Sequence, residues 1–259
     1  MAEIKSIHGL LFNTKADWLV NTVNCVGVMG AGVALECKYR YPGLFEAYQK
    51  QCESGALSPG RLWCYRDSSP KILCFPTKAD WKHPSRIDYI KSGLEKIAVT
   101  YKEKLADKDE RVSIAMPHLG CSHGGLQWEE QVEPLVIEYL SDLPDLEVEV
   151  YSFDPEAEDS LYDKLEGEIR DIRRRQPGAD DAKKEVARKM GLRTQAINRL
   201  FDAVDSGEIK NMLGLQRAPG IGDKTTEKIY EFLSRSDGSG DGWESDTYWA
   251  GSFVDLPGG

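Results

Sequence analysis

Two short glycine-rich stretches of this sequence have the make-up of anion cradles. The first leaves an apolar run, Ala16 to Val23, passes Asn24, and crosses a loop holding Gly27, Gly30 and Gly32 before helical spacing begins near Val33. The second leaves the run Val112 to Met116, carries Gly120, Gly124 and Gly125, and again precedes a helical pattern, from Trp128. Glycines let backbone N–H groups approach a ligand closely, and a following helix favours negative charge. In α/β sheets, ligands sit where strands end on their carboxyl side. Two such units give two cradles, as a pyrophosphate would need. Neither has the spacing of a P-loop or of a G-x-G-x-x-G dinucleotide turn, and each alone reads equally as a tight turn. A third element, Cys74 to Trp81, puts Lys78 just past another strand end, beside Pro76 and Thr77. A lone lysine there reads first as a solvated charge.

Cysteine and histidine offer less. The six cysteines (Cys25, Cys37, Cys52, Cys64, Cys74, Cys121) form no CxxC pair, and the four histidines complete no zinc pattern, so no metal site is expected. A chain of this length does not need disulfides, and most of these cysteines sit in apolar runs, as buried free thiols do. Neither Cys25 nor Cys121 has a neighbour in sequence that would activate it. A cytoplasmic protein is the expectation, since no run approaches a membrane span and the first residues lack a signal peptide's apolar stretch.

The elements that must position these loops alternate. Ala16–Val23, Leu62–Tyr65, Lys71–Phe75, Val112–Met116 and Leu146–Phe153 read as strands. Residues 33–52 (broken at Pro42-Gly43), 86–105 and 128–143 read as helices. That order predicts an α/β domain with helices on both sheet faces, over residues 1–154.

Beyond it the composition changes. Residues 155–169 read as an acidic linker. Residues 170–235 hold 15 Lys+Arg against 10 Asp+Glu and read as a small all-α module; residues 236–259 read as an acidic, disordered tail, although Trp243, Tyr248, Trp249 and Phe253 could dock on something. The net charge of −10 argues against nucleic acid only if it is spread evenly. Here it lies in the flanks of a basic helical block. At 41% hydrophobic the 259 residues exclude global disorder.

Four segments in this order, Asn21–Leu35 (NTVNCVGVMGAGVAL), Cys74–Ser85 (CFPTKADWKHPS), Tyr89–Ile97 (YIKSGLEKI) and Pro117–Trp128 (PHLGCSHGGLQW), resemble the macrodomain family, and most closely its DarG-like branch of DNA ADP-ribosyl glycohydrolases. The resemblance covers roughly residues 1–153. It implies a three-layer α/β/α fold with a mixed sheet and a cleft for ADP-ribose, without a cofactor. It implies that Gly30, Ala31, Gly32 and Val33 line the diphosphate and distal ribose, with Asn21, Val28, Met29, Thr77 and Leu119 in the same substrate-binding set. Gly120, Cys121, Ser122, His123, Gly124, Gly125 and Leu126 would form the second phosphate loop. Asn24 would meet the distal ribose hydroxyls and stand with Lys78 as the catalytic pair. Lys78 occupies the branch's lysine position, where an amine can trap C1″ of the distal ribose, provided it is neutral.

Two departures from the family pattern matter. Leu10 stands where the family usually has the Asp that reads adenine, so adenine must be read otherwise. Gly124 stands where the protein-directed glycohydrolase of the branch has an Asp, which favours the DNA-directed members. His123, beside Gly124, reads as structural or solvent-facing before it reads as an acid or base. Residues 211–233, with Pro219-Gly220-Ile221-Gly222 and Lys224-Thr225-Thr226, resemble a helix-hairpin-helix. This implies contact of Gly220, Ile221, Gly222, Lys224 and Thr225 with a DNA phosphate, without reading of sequence. The function expected is removal of ADP-ribose from DNA bases, in an antitoxin or repair role, with ADP-ribosylated DNA as substrate and a cognate DNA ADP-ribosyltransferase as partner. The alternatives are a non-catalytic ADP-ribose reader, a hydrolase of protein-linked ADP-ribose or of a small derivative, and a toxin-blocking DNA mimic.

Overall fold

The computed structural model describes residues 1–106 and 111–236. The expected tail, beyond Ser236, lies outside the described residues. The chain divides into two compact units, one ending at Phe153 and the next starting at Asp154.

The first unit is a six-stranded mixed sheet of order β1-β6-β5-β2-β4-β3. Its strands are β1 (Glu3–Gly9), β2 (Trp18–Val23), β3 (Trp63–Tyr65), β4 (Lys71–Pro76), β5 (Val112–Pro117) and β6 (Leu146–Phe153). All neighbours run parallel except β3, which is antiparallel to β4. The helices are α1 (Gly32–Arg40), α2 (Pro42–Glu53), α3 (Ile87–Lys104) and α4 (Glu133–Leu140). Pro42 opens α2 at a position where its missing N–H costs nothing, so the Pro-Gly break expected in 33–52 is a helix-to-helix corner.

The central strands are apolar on both faces because both faces are covered. Along β2, Trp18 and Val20 point into the core under α3 and α4, while Leu19 and Val23 point into the core under α1 and α2. In β4, Leu73 and Phe75 face the first core, Ile72 and Cys74 the second. Helix α3 rides close on β4 at Gly93, where a Cβ would lie 2.1 Å from Phe75 Cζ. The fold is thus the expected three-layer α/β/α sandwich.

Strand β1 is absent from the sequence reading. It is an edge strand whose residues are mostly exposed or half-exposed, so it has no apolar signature. Lys5 instead reaches Glu147 of β6 at 2.6 Å.

The second unit is all-helical: α5 (Ser160–Arg175), α6 (Ala179–Met190), α7 (Thr194–Asp205), α8 (Met212–Arg217) and α9 (Asp223–Ser236). Helix α5 begins inside the stretch expected to be a linker. Its acidic residues mask an amphipathic helix that buries Tyr162, Leu165, Ile169 and Ile172 at helical spacing. The segment before it is also fixed. Asp159 caps α5 by accepting from Leu161 N at 3.1 Å and takes Met212 N at 3.1 Å on its other oxygen. Asn211 caps α8 and donates to Pro155 O at 2.8 Å and Ala157 O at 3.0 Å. Among the described residues, no helix is long and apolar enough to cross a membrane.

Candidate active site

Strands β5, β2 and β4 lie side by side, so the three loops singled out above leave the sheet at one edge. Backbone bonds then lace them together. Thr77 N donates to Val23 O at 3.0 Å, and Cys25 N to Ala79 O at 3.0 Å, joining the loops after β2 and β4. Ser85 N donates to Gly124 O at 2.9 Å, joining the loops after β4 and β5. The loops after β2 and β5 also approach each other, since a Cβ on Gly32 would lie 3.4 Å from His123 Cδ2.

Lys78 stands among these links. Its Nζ donates to the His123 carbonyl at 3.0 Å, which aims the amine at the second glycine loop. Partial burial disfavours its charged form and holds its pKa below the usual lysine value. Cysteine chemistry is disfavoured by the same physics. Burial pushes the Cys25 thiol up to about 12, with Cys52 adding to it. Burial, with the Glu129 charge second, pushes Cys121 up to about 11. All six cysteines are free thiols.

The loop after β2 is built around Asn24. Its Oδ1 accepts from Val26 N at 3.0 Å, Val28 N at 3.3 Å and Tyr48 Oη at 3.1 Å, while its Nδ2 donates to Val28 O at 2.5 Å. Tyr48, from α2, also donates to Asn24 O at 2.8 Å. Asn24 was expected to act on the ligand; what the structure shows is a buried side chain that positions the loop. Tyr48 was missed, because nothing in its helical context separates it from an ordinary core tyrosine. Gly30 and Ala31 are exposed at the mouth. Ala31, the N-cap of α1, supplies no side-chain acceptor, so the first N–H groups of this helix remain available to an anion.

The loop after β5 is built by packing. Gly120 and Gly125 have φ of +70° and +81°, the left-handed region that glycine tolerates. Gly124 is buried, and a Cβ there would lie 2.1 Å from Gly120 O and 2.2 Å from Ser85 Oγ. No side chain fits at 124, let alone a carboxylate. Ser85 was likewise missed as a site residue. Its buried Oγ has no hydrogen-bond partner among the described residues, and neither has either polar atom of Asn21, buried in β2. Ser122 and His123 are exposed, and Cys121 is half-buried.

Three of the expected ligand contacts turn their side chains into the core. Met29 and Leu119 are buried core side chains, facing α1–α2 and α3–α4 respectively. Each loop turns its apolar residue inward to close the core beneath it. Leu126 packs on the same core and covers Gly120, with Cδ1 3.0 Å from where a Cβ there would be. Val28 serves Asn24 through its backbone, Val33 is half-buried against the core, and Thr77 is buried at the end of β4. Leu10 is buried beside the end of β1, so no polar group replaces the adenine-reading Asp at that position.

In the helical unit, the hairpin between α8 and α9 has Gly220 at φ +83°. Ile221 N donates to Ala218 O at 3.1 Å, and Thr225 N to Gly222 O at 2.8 Å. Gly222 opens on free space and Lys224 is exposed, whereas the Ile221 side chain is buried under the turn rather than offered to a ligand.

A sheet of this order, with glycine loops and a desolvated lysine converging at one edge, defines a macrodomain. Residues 20–134 match the Macro domain family, and through its first unit the chain belongs to that family. Among curated relatives, the DNA ADP-ribosyl glycohydrolase of Thermus aquaticus is 41% identical over 153 residues, covering 57% of this chain and 41% of that protein. Among solved structures, the macrodomain of Thermus aquaticus DarG matches at 41% identity with a TM-score of 0.53, covering 59% of this chain and 99% of the other. Thermosipho africanus DarTG in complex with ADP-ribose matches at 34% identity and a TM-score of 0.53, covering 59% and 42%. The chain spans about two fifths of the length of the curated DNA ADP-ribosyl glycohydrolases it matches.

Proposed function

We propose that this chain is an ADP-ribosyl glycohydrolase that removes ADP-ribose from modified DNA bases. The observation that carries this reading is Lys78, an amine with depressed basicity held at the second glycine loop by the His123 carbonyl. The loops supply the diphosphate's site: α1's first N–H groups on one side, the 120–125 turn on the other. Lys78 Nζ then attacks C1″ of the distal ribose. The glycosidic bond breaks as the new C–N bond forms, its electron pair leaves with the base, and the base takes up a proton. Water hydrolyses the lysine adduct, releasing ADP-ribose and the free amine. Oxocarbenium character at C1″ makes that carbon the reactive one.

DNA as substrate is supported by Gly124, where the packing leaves no room for the carboxylate of the protein-directed branch. It is also supported by the DNA-directed names of the relatives and by the hairpin of the basic module. One relative, 34% identical, is a DNA ADP-ribosyl transferase–glycohydrolase fusion, which favours a transferase as functional partner and an antitoxin-like role. Six free thiols accord with action in the cytoplasm.

The test is release of ADP-ribose from a labelled, ADP-ribosylated oligonucleotide by wild type and by Lys78→Ala. Wild type releases it, and Lys78→Ala is slowed by about 100-fold or more, the range a positioned catalytic group supplies. Full release by the variant refutes the lysine mechanism, and none by wild type refutes the DNA substrate. The pH profile follows in sign. The reactive form is neutral, so kcat/KM rises with pH and levels off below the pH at which an ordinary lysine, near 10.5, would titrate.

A further inference from the structure

The loop after β4 holds an indole in solvent close to the reactive amine. Four tryptophans lie among the described residues. Trp18, Trp63 and Trp128 are 0%, 6% and 8% exposed, whereas Trp81, three residues beyond Lys78, is 52% exposed. The loop that carries it is tied. Arg86 N donates to Thr77 O at 3.3 Å and closes the neck, between buried Thr77 and buried Ser85. At the tip, Lys82 N donates to Asp80 Oδ1 at 2.9 Å and His83 N to Asp80 O at 3.1 Å. A fixed turn therefore presents Trp81 to Pro84 outward.

The surroundings of this ring are cationic and apolar. Lys82 Nζ lies 5.6 Å from the ring centroid, within cation–π range, and is in no ion pair among the described residues. Arg86, by contrast, is paired with Asp88 through two hydrogen bonds of 3.0 and 2.9 Å. Residues 77–86 carry Lys78, Lys82 and Arg86 against Asp80 alone. Val26, in the loop bonded to Ala79 through Cys25 N, is exposed as well. The two exposed side chains flank the backbone of Lys78, whose carbonyl accepts from Cys25 Sγ at 3.7 Å. An aromatic face beside unpaired positive charge is what single-stranded nucleic acid takes: bases stack on the ring and phosphates pass the cation.

From this we infer that Trp81 is the platform on which a nucleobase of the substrate strand stacks, with Lys82 beside it for the strand's phosphates. The inference rests on the reading of the site as DNA-directed, and names the residue that selects a base as leaving group. A base bonded to C1″ has to leave the stack of its neighbours to reach Lys78. Three residues of chain span at most about 11 Å, so the indole is near enough to replace the stacking that such a base loses. Stacking on a π-face reads no sequence, so the platform accepts any base and favours a single strand over a duplex.

The test uses a single-stranded oligonucleotide carrying one ADP-ribose. Trp81→Ala raises its KM by about 10-fold or more, as loss of one stacking platform does, and leaves kcat within about 2-fold, because the stacking is equal in ground and transition states. Trp81→Phe keeps KM within about 3-fold of wild type, and Trp81→Leu does not, since leucine is apolar but has no ring face. Affinity for free ADP-ribose, measured by calorimetry, is unchanged in all three, which shows that they are folded. Binding of the oligonucleotide is read separately on Lys78→Ala chains, where adding Trp81→Ala loses the same factor. A wild-type KM for Trp81→Ala, or an equal loss of affinity for free ADP-ribose, overturns the platform and leaves the catalytic reading standing. If wild type releases nothing, the catalytic reading fails, and binding to Lys78→Ala chains with and without Trp81→Ala still decides the platform.

Discussion

In the loop after β2 the backbone is tied by side chains: Asn24 takes three donors and gives one hydrogen bond, and Tyr48 braces it from α2. In the loop after β5 it is tied by close packing: Gly120, Gly124 and Ser85 occupy the space that side chains would need. Both loops face one site, yet they respond to opposite kinds of change. The first should respond most to loss of polar atoms, the second most to added size at Gly124. Two cradles of similar glycine content are therefore held in shape by different physics.

The largest effect tests the packed loop. In Gly124→Ala the new methyl meets Gly120 O at 2.1 Å, and the obstacle is backbone, which cannot swing aside. Destabilisation of about 3 kcal/mol is expected, the upper end of overpacking costs. Loss of ADP-ribose affinity should accompany it, because Lys78 is aimed by the carbonyl of the adjacent His123. Thermal denaturation and calorimetry check both. An unchanged melting temperature would mean that the loop relaxes freely and that the contrast drawn here is false.

The next tests the tied loop. Asn24→Ala strips acceptors from Val26 N and Val28 N and leaves Tyr48 Oη with one partner fewer. About 1 kcal/mol is expected, since three buried or part-buried donors lose an acceptor, one of them the Tyr48 hydroxyl. ADP-ribose binding should weaken while its pH dependence stays, because Lys78 is untouched. If stability holds and only binding falls, Asn24 serves the ligand and not the loop.

This contrast also marks how far the sequence could be read. The β2, β4 and β5 runs, the glycine loops and Lys78 are visible because apolar strands and glycines are local signals. Strand β1 was not, because an edge strand needs no apolar pattern. Asn24 and Lys78 were both singled out, yet only the fold distinguishes a residue that reaches the mouth from one turned back on its own loop. Met29 and Leu119 looked like loop residues and proved to be core. Tyr48 and Ser85 act across 24 and 39 positions, on Asn24 and Gly124 respectively, and no spacing rule links such pairs.

The smallest effect is the most discriminating. Ser85 sits beside Gly124 with a buried hydroxyl that has no partner among the described residues. If the second loop depends on shape alone, Ser85→Ala removes an unsatisfied polar atom and keeps the Cβ that lies 3.0 Å from Gly120's missing one. Stability should then stay within about 1 kcal/mol of wild type, on the stabilising side if anything, because an unpaired buried hydroxyl carries a desolvation cost that alanine does not. The same substitution at a hydrogen-bonded serine would destabilise. A melting temperature lowered by several degrees would show that the hydroxyl is bonded in solution, and that the packed loop, like its partner, is held by polar contacts after all.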